Sequence, residues 1–534
     1  MPSFVALPPE LIHTTFEYLS PVELAVVAQT CKTLRDIAYD DSLWKNHLQE
    51  NLPGVTLSEP ADGSTFRSTY VAHHPYWFLT KHKIWFSDAA LHGMLLVARY
   101  SPSRRVIEAY ALAAQRATPK LEMWKRNREV IIHSFNPRVQ LNLHQPVVQI
   151  PVASARNFPS DSKRFQREYE MDTFAVPAGA ATVHSTFMLT RPCPPAAISS
   201  QTMVWPPLKI PAIERTRNAS IEAFRGAGHR PSRLCEISYS TFRIRKWLEF
   251  HIHGQIGAPR IGDEISTFAT LPEWCYTPTK LKPWRGIWIG DYAGHGCETL
   301  LILQPDDLVD LPLEVKELLR RLVRSSSIGS DGQSDGSFQS AATHPSSESN
   351  DEQDSLPDGF ASQEWTAAWM DGPSASDNGP ASCPFSNIGA SPTPDSPKDQ
   401  HSSKKNEGVS EEDKYQGQLL AIKLTGDPNV PRGEYTFIAP DISAKGTIRI
   451  ATEEPFVGAR IVRAFGHIAS TNFVQGRPAT QSFVEFAELI FGADTYIPSQ
   501  LMLVSDDCLA QYWEAYGHIS YYKRVNVDRF LNVE

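Results

Sequence analysis

The sequence predicts a mainly β protein with a small α-helical module at its N-terminus and a long disordered insert. Three observations carry this reading. The first fifty residues show helical spacing of apolar residues. The segments 65–324 and 415–534 consist of short runs rich in aromatic and β-branched residues, broken by Gly and Pro, as in a β-sandwich or barrel. The segment between them is low in complexity. With 534 residues, 41% hydrophobic and 21% charged, there is ample chain for a core, and 41 prolines argue against an all-helical protein.

In the first fifty residues, Leu11, Ile12, Phe16 and Leu19 share one helical face. Ser20 then reads as an N-cap, with Pro21 at the first helical position and Glu23 three residues past the cap, the spacing of a capping box. Leu24, Val27, Ala28, Cys31, Leu34 and Ile37 predict one second helix, and Leu43, Trp44 and Leu48 a third. Three helices of this size have little core of their own, so an apolar face is left for something else to cover.

Strands are expected at Gly93–Arg99, Val106–Leu112, Cys235–Ile244, Gly286–Tyr292 and Thr299–Leu303. Helical patterns are few, at Ser220–Phe224 and Leu313–Val323. Beyond the insert, Gln418–Leu424, Tyr435–Ile438, Thr447–Ala451, Val457–Val462, Gln500–Val504 and His518–Arg524 read as strands again. No repeat period is visible. The simplest account is one β domain, residues 65–324 and 415–534, interrupted by a loop, because long surface insertions cost little entropy. Strands Gly286–Leu303 and Gln418–Ile438 are then expected to meet in one sheet.

The insert Ser325–Lys414 carries 16 acidic and 4 basic residues, a net −12 of the whole chain's −9. Rich in Ser, Asp, Glu, Gly and Pro, it is expected to be disordered and dispensable for folding. Trp365 and Trp369, at i, i+4, form a potential docking motif within it. Ser391, Thr393 and Ser396, each before Pro, suit regulatory phosphorylation. The remaining 444 residues carry about +3 by subtraction. A near-neutral body with an acidic insert argues against nucleic-acid and anionic-membrane partners. Seven scattered cysteines without a C-x-x-C pair fit a reducing compartment. There is no signal-peptide pattern and no apolar run long enough for a membrane helix. The expectation is a soluble protein of the cytoplasm, the nucleus or both.

Signs of catalysis are weak. There is no Walker A loop and no G-x-G-x-x-G after a strand. The single G-x-S-x-G, Gly332–Gly336, lies in the insert without the strand-turn-helix context that a nucleophile elbow needs. Gly294-His295-Gly296, near Asp291 and Glu298, reads more simply as a tight turn than as a catalytic site. His251 and His253 share a strand face without a further ligand in view. Thr425–Asn429 has turn chemistry throughout and is either structural or a rim loop touching a bound substrate. The aromatics Trp288, Tyr292, Tyr435, Phe437, Phe473 and Trp513 are core by default.

Residues 1–50 resemble an F-box, through Leu7-Pro8-Pro9-Glu10-Leu11, Tyr18-Leu19-Ser20-Pro21, Glu23-Leu24, Gln29–Arg35 and Asp41–Trp44. The resemblance implies binding to the Skp adaptor, and through it to a cullin and a RING subunit, by Leu7, Pro8, Leu11, Leu19, Pro21 and Leu24. Much of the remaining chain resembles the F-box only protein thirty-one family, through Tyr76–Arg99, Gly286–Glu298, Leu424–Pro431 with Gly433, and Gln511–Arg524. That resemblance implies a substrate-binding β-barrel. Trp288, Tyr292, His295, Glu298 and Asp427 are its candidate contacts, and a short extended peptide terminus of a target protein is its candidate ligand. A Cys/His zinc cluster of some animal relatives is not carried over, because His133, His144, His184 and Cys193 are widely and irregularly spaced; no metal or cofactor is expected. The expected function is that of a non-catalytic substrate receptor of an SCF-type ubiquitin ligase. The alternative is a ligand- or peptide-binding barrel whose F-box serves a ligase-independent role.

Overall fold

The computed structural model describes residues 4–57, 63–89, 92–116, 120–151, 168–175, 181–198, 204–218, 229–250, 260–291, 297–328, 410–426, 430, 432–468 and 495–532. Met1–Arg324 and Val409–Glu534 form one compact unit. The expectations for Ser220–Phe224, His251, His253, most of the insert and Phe473 lie outside the described residues. Among those described, no helix is long and apolar enough to cross a membrane.

The N-terminal module has four helices, α1 Pro9–Phe16, α2 Pro21–Val27, α3 Lys32–Ala38 and α4 Asp41–Glu50. The expected second helix is two. The Thr30 hydroxyl donates to the Val27 carbonyl at 2.7 Å, Cys31 is extended, and Arg35 Nε donates to the Ala28 carbonyl at 2.8 Å, closing the end of α2 from the next helix. The capping box at α2 forms as read, with Ser20 N donating to Glu23 Oε2 at 2.7 Å and Glu23 N to Ser20 Oγ at 3.4 Å. Two further helices, α5 Phe66–His73 and α6 Phe78–His82, lack an apolar pattern long enough to read from sequence.

The strands of the first half are β1 Ile84–Ser87, β2 Leu95–Ser101, β3 Val106–Arg116, β4 Leu121–Met123, β5 Ile131–His133, β6 Pro137–Pro151, β7 Tyr169–Ala175, β8 Ala181–Leu189, β9 Val204–Trp205, β10 Thr216–Arg217, β11 Thr241–Phe250 and β12 Arg260–Ala269. Eight of them form an antiparallel sheet in the order β6-β3-β2-β1-β12-β11-β8-β7. Cys235 sits in a 3-10 turn, so the strand expected from it starts only at Thr241. Helix α7, Glu273–Tyr276, leads to β13 Gly286–Asp291 and β14 Cys297–Leu303; helix α8 is Leu313–Ile328. The strands of the second half are β15 Leu419–Lys423, β16 Tyr435–Ala439, β17 Thr447–Ile450, β18 Arg460–Ile468, β19 Thr495–Ser505, β20 Cys508–Trp513 and β21 His518–Arg524.

Strands β13, β14, β15, β16, β18, β19, β20 and β21 pair in that order, and β21 returns to β13 through Trp288↔Arg524 and Gly290↔Tyr522. This is a closed eight-stranded antiparallel barrel. Its β14–β15 pairing, from Leu300↔Lys423 to Leu303↔Leu420, joins the two halves of the chain in one sheet. The barrel begins only at β13, so most of residues 65–324 is a separate sheet. The fold also resumes before residue 415: Glu411–Lys414 is a capped 3-10 turn, and Glu412 pairs with Arg460 at 2.6 Å.

Strands β1 and β2 of the first sheet are buried on both faces. Trp85, Leu96 and Ala98 pack with Ile12, Phe16, Trp44 and Leu48 of the helical module. Their neighbours Ile84, Phe86, Leu95 and Val97 pack with Ile287, Ile289, Leu301 and Ile422 on the outer wall of the barrel. Alternation along β1 and β2 thus feeds two cores, which is why those strands read as continuous apolar runs. Val315 of α8 joins the second core.

Candidate functional site

Two surfaces stand apart from these cores. The first is the outer face of the helical module. Ile12 and Phe16 in α1, Leu24 in α2, Ala38 in α3, and Leu43, Trp44 and Leu48 in α4 are buried together, with Trp44 Nε1 donating to the Ala38 carbonyl at 2.8 Å. The opposite face carries Leu7 and Leu11, 40% and 55% exposed, and Val22 and Val26, 50% and 59% exposed. Val22 and Val26, spaced i, i+4, line up on one side of α2, while Leu7 lies just before α1 and Leu11 within it. Of the residues expected to contact an adaptor, Leu7, Pro8 and Leu11 are exposed, and Leu19 and Pro21 are half-buried. Leu24 is fully buried, so it holds the module together instead of facing outward. Val22 and Val26 were not anticipated. At 100° per residue both fall on the side of α2 away from Leu24, and that spacing is the signal that was available.

The second surface is one end of the barrel. Alternation of antiparallel strands brings the ends of β13, β15, β18 and β20 to the same rim as the starts of β14, β16, β19 and β21. Away from this rim the interior is apolar, with Trp284, Leu300, Ile302, Leu419, Phe437, Leu501 and Leu509. Toward it the interior turns polar. Lys423 Nζ lies 2.5 Å from Glu298 Oε2, with the two side chains 0% and 4% exposed. On the next wall Tyr522 OH donates to Gln511 Oε1 at 2.8 Å, and Gln511 Nε2 donates to Ser499 Oγ at 3.1 Å. Trp513 Nε1 donates to Ser520 Oγ at 3.1 Å, and the indole packs directly on Gly466, where a Cβ would sit inside the ring's contact radius. Burial pushes the His518 imidazole down to about 4, and the neighbouring His133 adds to that.

The segment after β15 is tied to the first sheet. Gly426 N donates to the His92 carbonyl at 3.0 Å, and the Arg432 guanidinium donates to the carbonyls of Asp88 and Ala89 at 2.8 and 2.9 Å. Gly433, at φ +84°, packs against Pro207 where a Cβ would lie 2.6 Å from Cγ.

Trp288, expected as a substrate contact, is fully buried: its Nε1 donates to the Trp284 carbonyl at 3.1 Å, and it belongs to the barrel core. Glu298 is at the polar end, held by Lys423. Tyr292, His295 and Asp427 lie outside the described residues. Lys423, Gln511, Ser499 and Tyr522 were not anticipated. A lysine at an inward position after Leu419 and Ala421 was the readable signal, because a period-2 strand places it in the core. His133, His144, His184 and Cys193 sit in or beyond different strands; His184 stacks on Trp247 and lies 3.3 Å from Glu249. Among the described residues no group of three or more potential ligands could hold a metal ion.

Residues 4–50 match the family model of the F-box-like domain. Residues 268–529, from the end of β12 through the barrel, match the model described as the cyclin D1 binding domain. No curated protein matches the chain. The helical module is an F-box-like domain, followed by a barrel region similar to a cyclin D1 binding domain.

Proposed function

We propose that the protein is a substrate-recognition subunit of an SCF-type ubiquitin ligase. The observation that carries this reading is the F-box-like domain with Leu7, Leu11, Val22 and Val26 turned outward from a filled core. An apolar face of that kind needs a partner. The Skp adaptor is that partner, with the cullin and RING subunits following through it. The barrel end receives the protein to be ubiquitinated, in the cytoplasm or nucleus, and performs no bond-making itself. The match to a cyclin D1 binding domain supports a protein ligand there, with a cyclin as one candidate, as does the sequence resemblance to the F-box only protein thirty-one family. A short peptide terminus suits a barrel mouth. The polar groups Glu298, Lys423, Gln511 and Tyr522 would fix its orientation, with Tyr292, His295 and Asp427 in the segments that follow β13 and β15.

The test is co-purification with the Skp adaptor and cullin, comparing the native chain with Leu11→Asp and Val26→Asp. Removing an anchor at the centre of such a face costs about 2 kcal/mol or more, roughly thirtyfold in affinity. Both residues are exposed, so melting temperature should stay unchanged. Undiminished adaptor capture by both variants would refute the reading and leave a ligase-independent role for the module.

A further inference from the structure

We propose that Thr277 is the phosphate acceptor for a proline-directed protein kinase that reads a basic residue three positions further on. The site lies in the segment between α7 and β13, and the proposal does not rest on the ligase reading.

The sequence holds seven Ser-Pro or Thr-Pro pairs, at Ser20, Ser101, Thr118, Thr277, Ser391, Thr393 and Ser396. Such a pair is recognisable by its chemistry. Proline has a fixed φ and no N–H, so a groove with an apolar wall and no hydrogen-bond acceptor at that position takes proline and rejects other residues. Charge at a fixed distance is a second selector. Only two of the seven carry a cation three residues after the hydroxyl: Arg104 follows Ser101, and Lys280 follows Thr277. Ser20 has Glu23 at that place, and Glu23 is committed to the capping box.

The structure separates these two. Ser101 is the last residue of β2, opposite Val106 of β3, and its Oγ lies 3.3 Å from Ser103 Oγ. Arg104 Nη2 lies 2.7 Å from the buried Glu108 carboxylate. Hydroxyl and cation are both tied into the β2–β3 hairpin, which a kinase would have to open.

Thr277 is the opposite case. The residue before a proline is kept out of the helical region, so α7 ends after one turn and Thr277 is extended, at φ −97° and ψ 110°. Extended segments are what peptide-binding grooves take. Thr277, Pro278, Thr279 and Lys280 are all exposed. Downstream, Thr279 N donates to the Lys282 carbonyl at 3.2 Å and Lys282 N to the Thr279 carbonyl at 3.1 Å, a tight turn with Lys280 in its middle. Three cations lie between residues 277 and 285, with no carboxylate among them. Lys282 Nζ donates to the Pro305 carbonyl at 3.1 Å and Arg285 lies 2.8 Å from Asp306, whereas Lys280 is held out in solvent.

In the reaction the Thr277 hydroxyl oxygen attacks the γ-phosphorus of ATP. The bond from that phosphorus to the β–γ bridging oxygen breaks, ADP leaves, and the hydroxyl proton passes to the carboxylate base of the kinase. The product carries nearly two negative charges beside three cations, so the modification cancels most of the segment's charge.

The experiment incubates the full chain with a purified cyclin-dependent kinase, a proline-directed kinase of this class, and Mg-ATP, and maps phosphorylated residues by mass spectrometry. Synthetic peptides of residues 98–107 and 273–283 should both accept phosphate, whereas the full chain should accept it at Thr277 and not at Ser101. Thr277→Ala should abolish labelling of that segment. Lys280→Glu should lower the initial rate at Thr277 at least about tenfold, the worth of one charge-assisted contact, with an unchanged melting temperature. Labelling of peptide 273–283 without labelling of Thr277 in the full chain would show that the fold hides the site and would overturn the proposal. So would labelling of neither, equal labelling of Ser101 and Thr277 in the full chain, or a rate unchanged in Lys280→Glu.

Discussion

Replacing Glu298 with Gln would remove the carboxylate that lies 2.5 Å from the Lys423 ammonium, in a place where that side chain has no exposure. Breaking a buried pair by removing one partner typically costs about 3–5 kcal/mol, because the remaining charge keeps its desolvation penalty. The cost should appear first where the pair sits, on the rungs Leu300↔Lys423 and Leu301↔Ile422 that join the two halves of the barrel. Local opening there should become easier by about 3 kcal/mol, roughly a hundredfold faster amide exchange in β14 and β15 under conditions where exchange follows the opening equilibrium. Hydrogen exchange read by mass spectrometry on peptides from 297–303 and 419–423 measures this directly. Lys423→Met alone should do comparable damage by removing the ammonium from the buried carboxylate. The double variant Glu298→Leu/Lys423→Met should recover most of the loss, since an apolar pair of similar volume often replaces a buried ion pair at little cost. Unchanged exchange in Glu298→Gln, or a double variant worse than either single one, would refute the assignment of this pair as what holds the polar end of the barrel together.

Two further outcomes are expected. Burial holds His73, His82 and His518 near 4, well below the ordinary 6.5, so all three are neutral in the folded chain at neutral pH and take up protons on unfolding as pH falls. Their contribution is fully present above about pH 6.5 and is lost toward pH 4, with a slope approaching about 4 kcal/mol per pH unit for three protons; a urea midpoint that stays flat between pH 7 and 5 would contradict it. Gly466→Ala should lower stability by about 1–3 kcal/mol, because its Cβ must displace the Trp513 indole from the barrel interior, and melting of the variant with unchanged near-ultraviolet tryptophan signal would show that no displacement occurs.

Local chemistry in this sequence was readable where one residue type has one job. The Ser20–Glu23 capping box, the strands at Gly286–Asp291, Tyr435–Ala439 and His518–Arg524, and the apolar face of α8 all follow from caps and periodicity. The first sheet was harder. Strands β6, β7, β8 and β12 carry polar residues such as Gln140, Asn142, His144 and Thr186 that mask their pattern, and their partners are distant in sequence. The break between α2 and α3 depends on the Arg35–Ala28 and Thr30–Val27 hydrogen bonds, which a shared apolar face cannot reveal. Residue type also misled at the sites. Leu24 and Trp288 have the composition of contact residues, yet the folded chain needs both inside. Lys423 looks like a surface residue, and only the inward alternation of Leu419 and Ala421 places it in the barrel.

The first sheet gives the proposed ligase its geometry. A receptor that only binds its target delivers lysines to many places; one that also holds the target at a fixed distance from the adaptor delivers them to one. The helical module packs on one face of β1 and β2 through Trp44, Phe16 and Trp85, and the barrel packs on the other through Phe86, Ile289 and Ile422. Arg432 and Gly426 add hydrogen bonds from the barrel's polar end to the turn after β1. Because packed interiors of this kind have low compressibility, the exposed residues Leu11 and Val26 and the polar barrel end at Glu298 are joined through a stiff core and not through a linker.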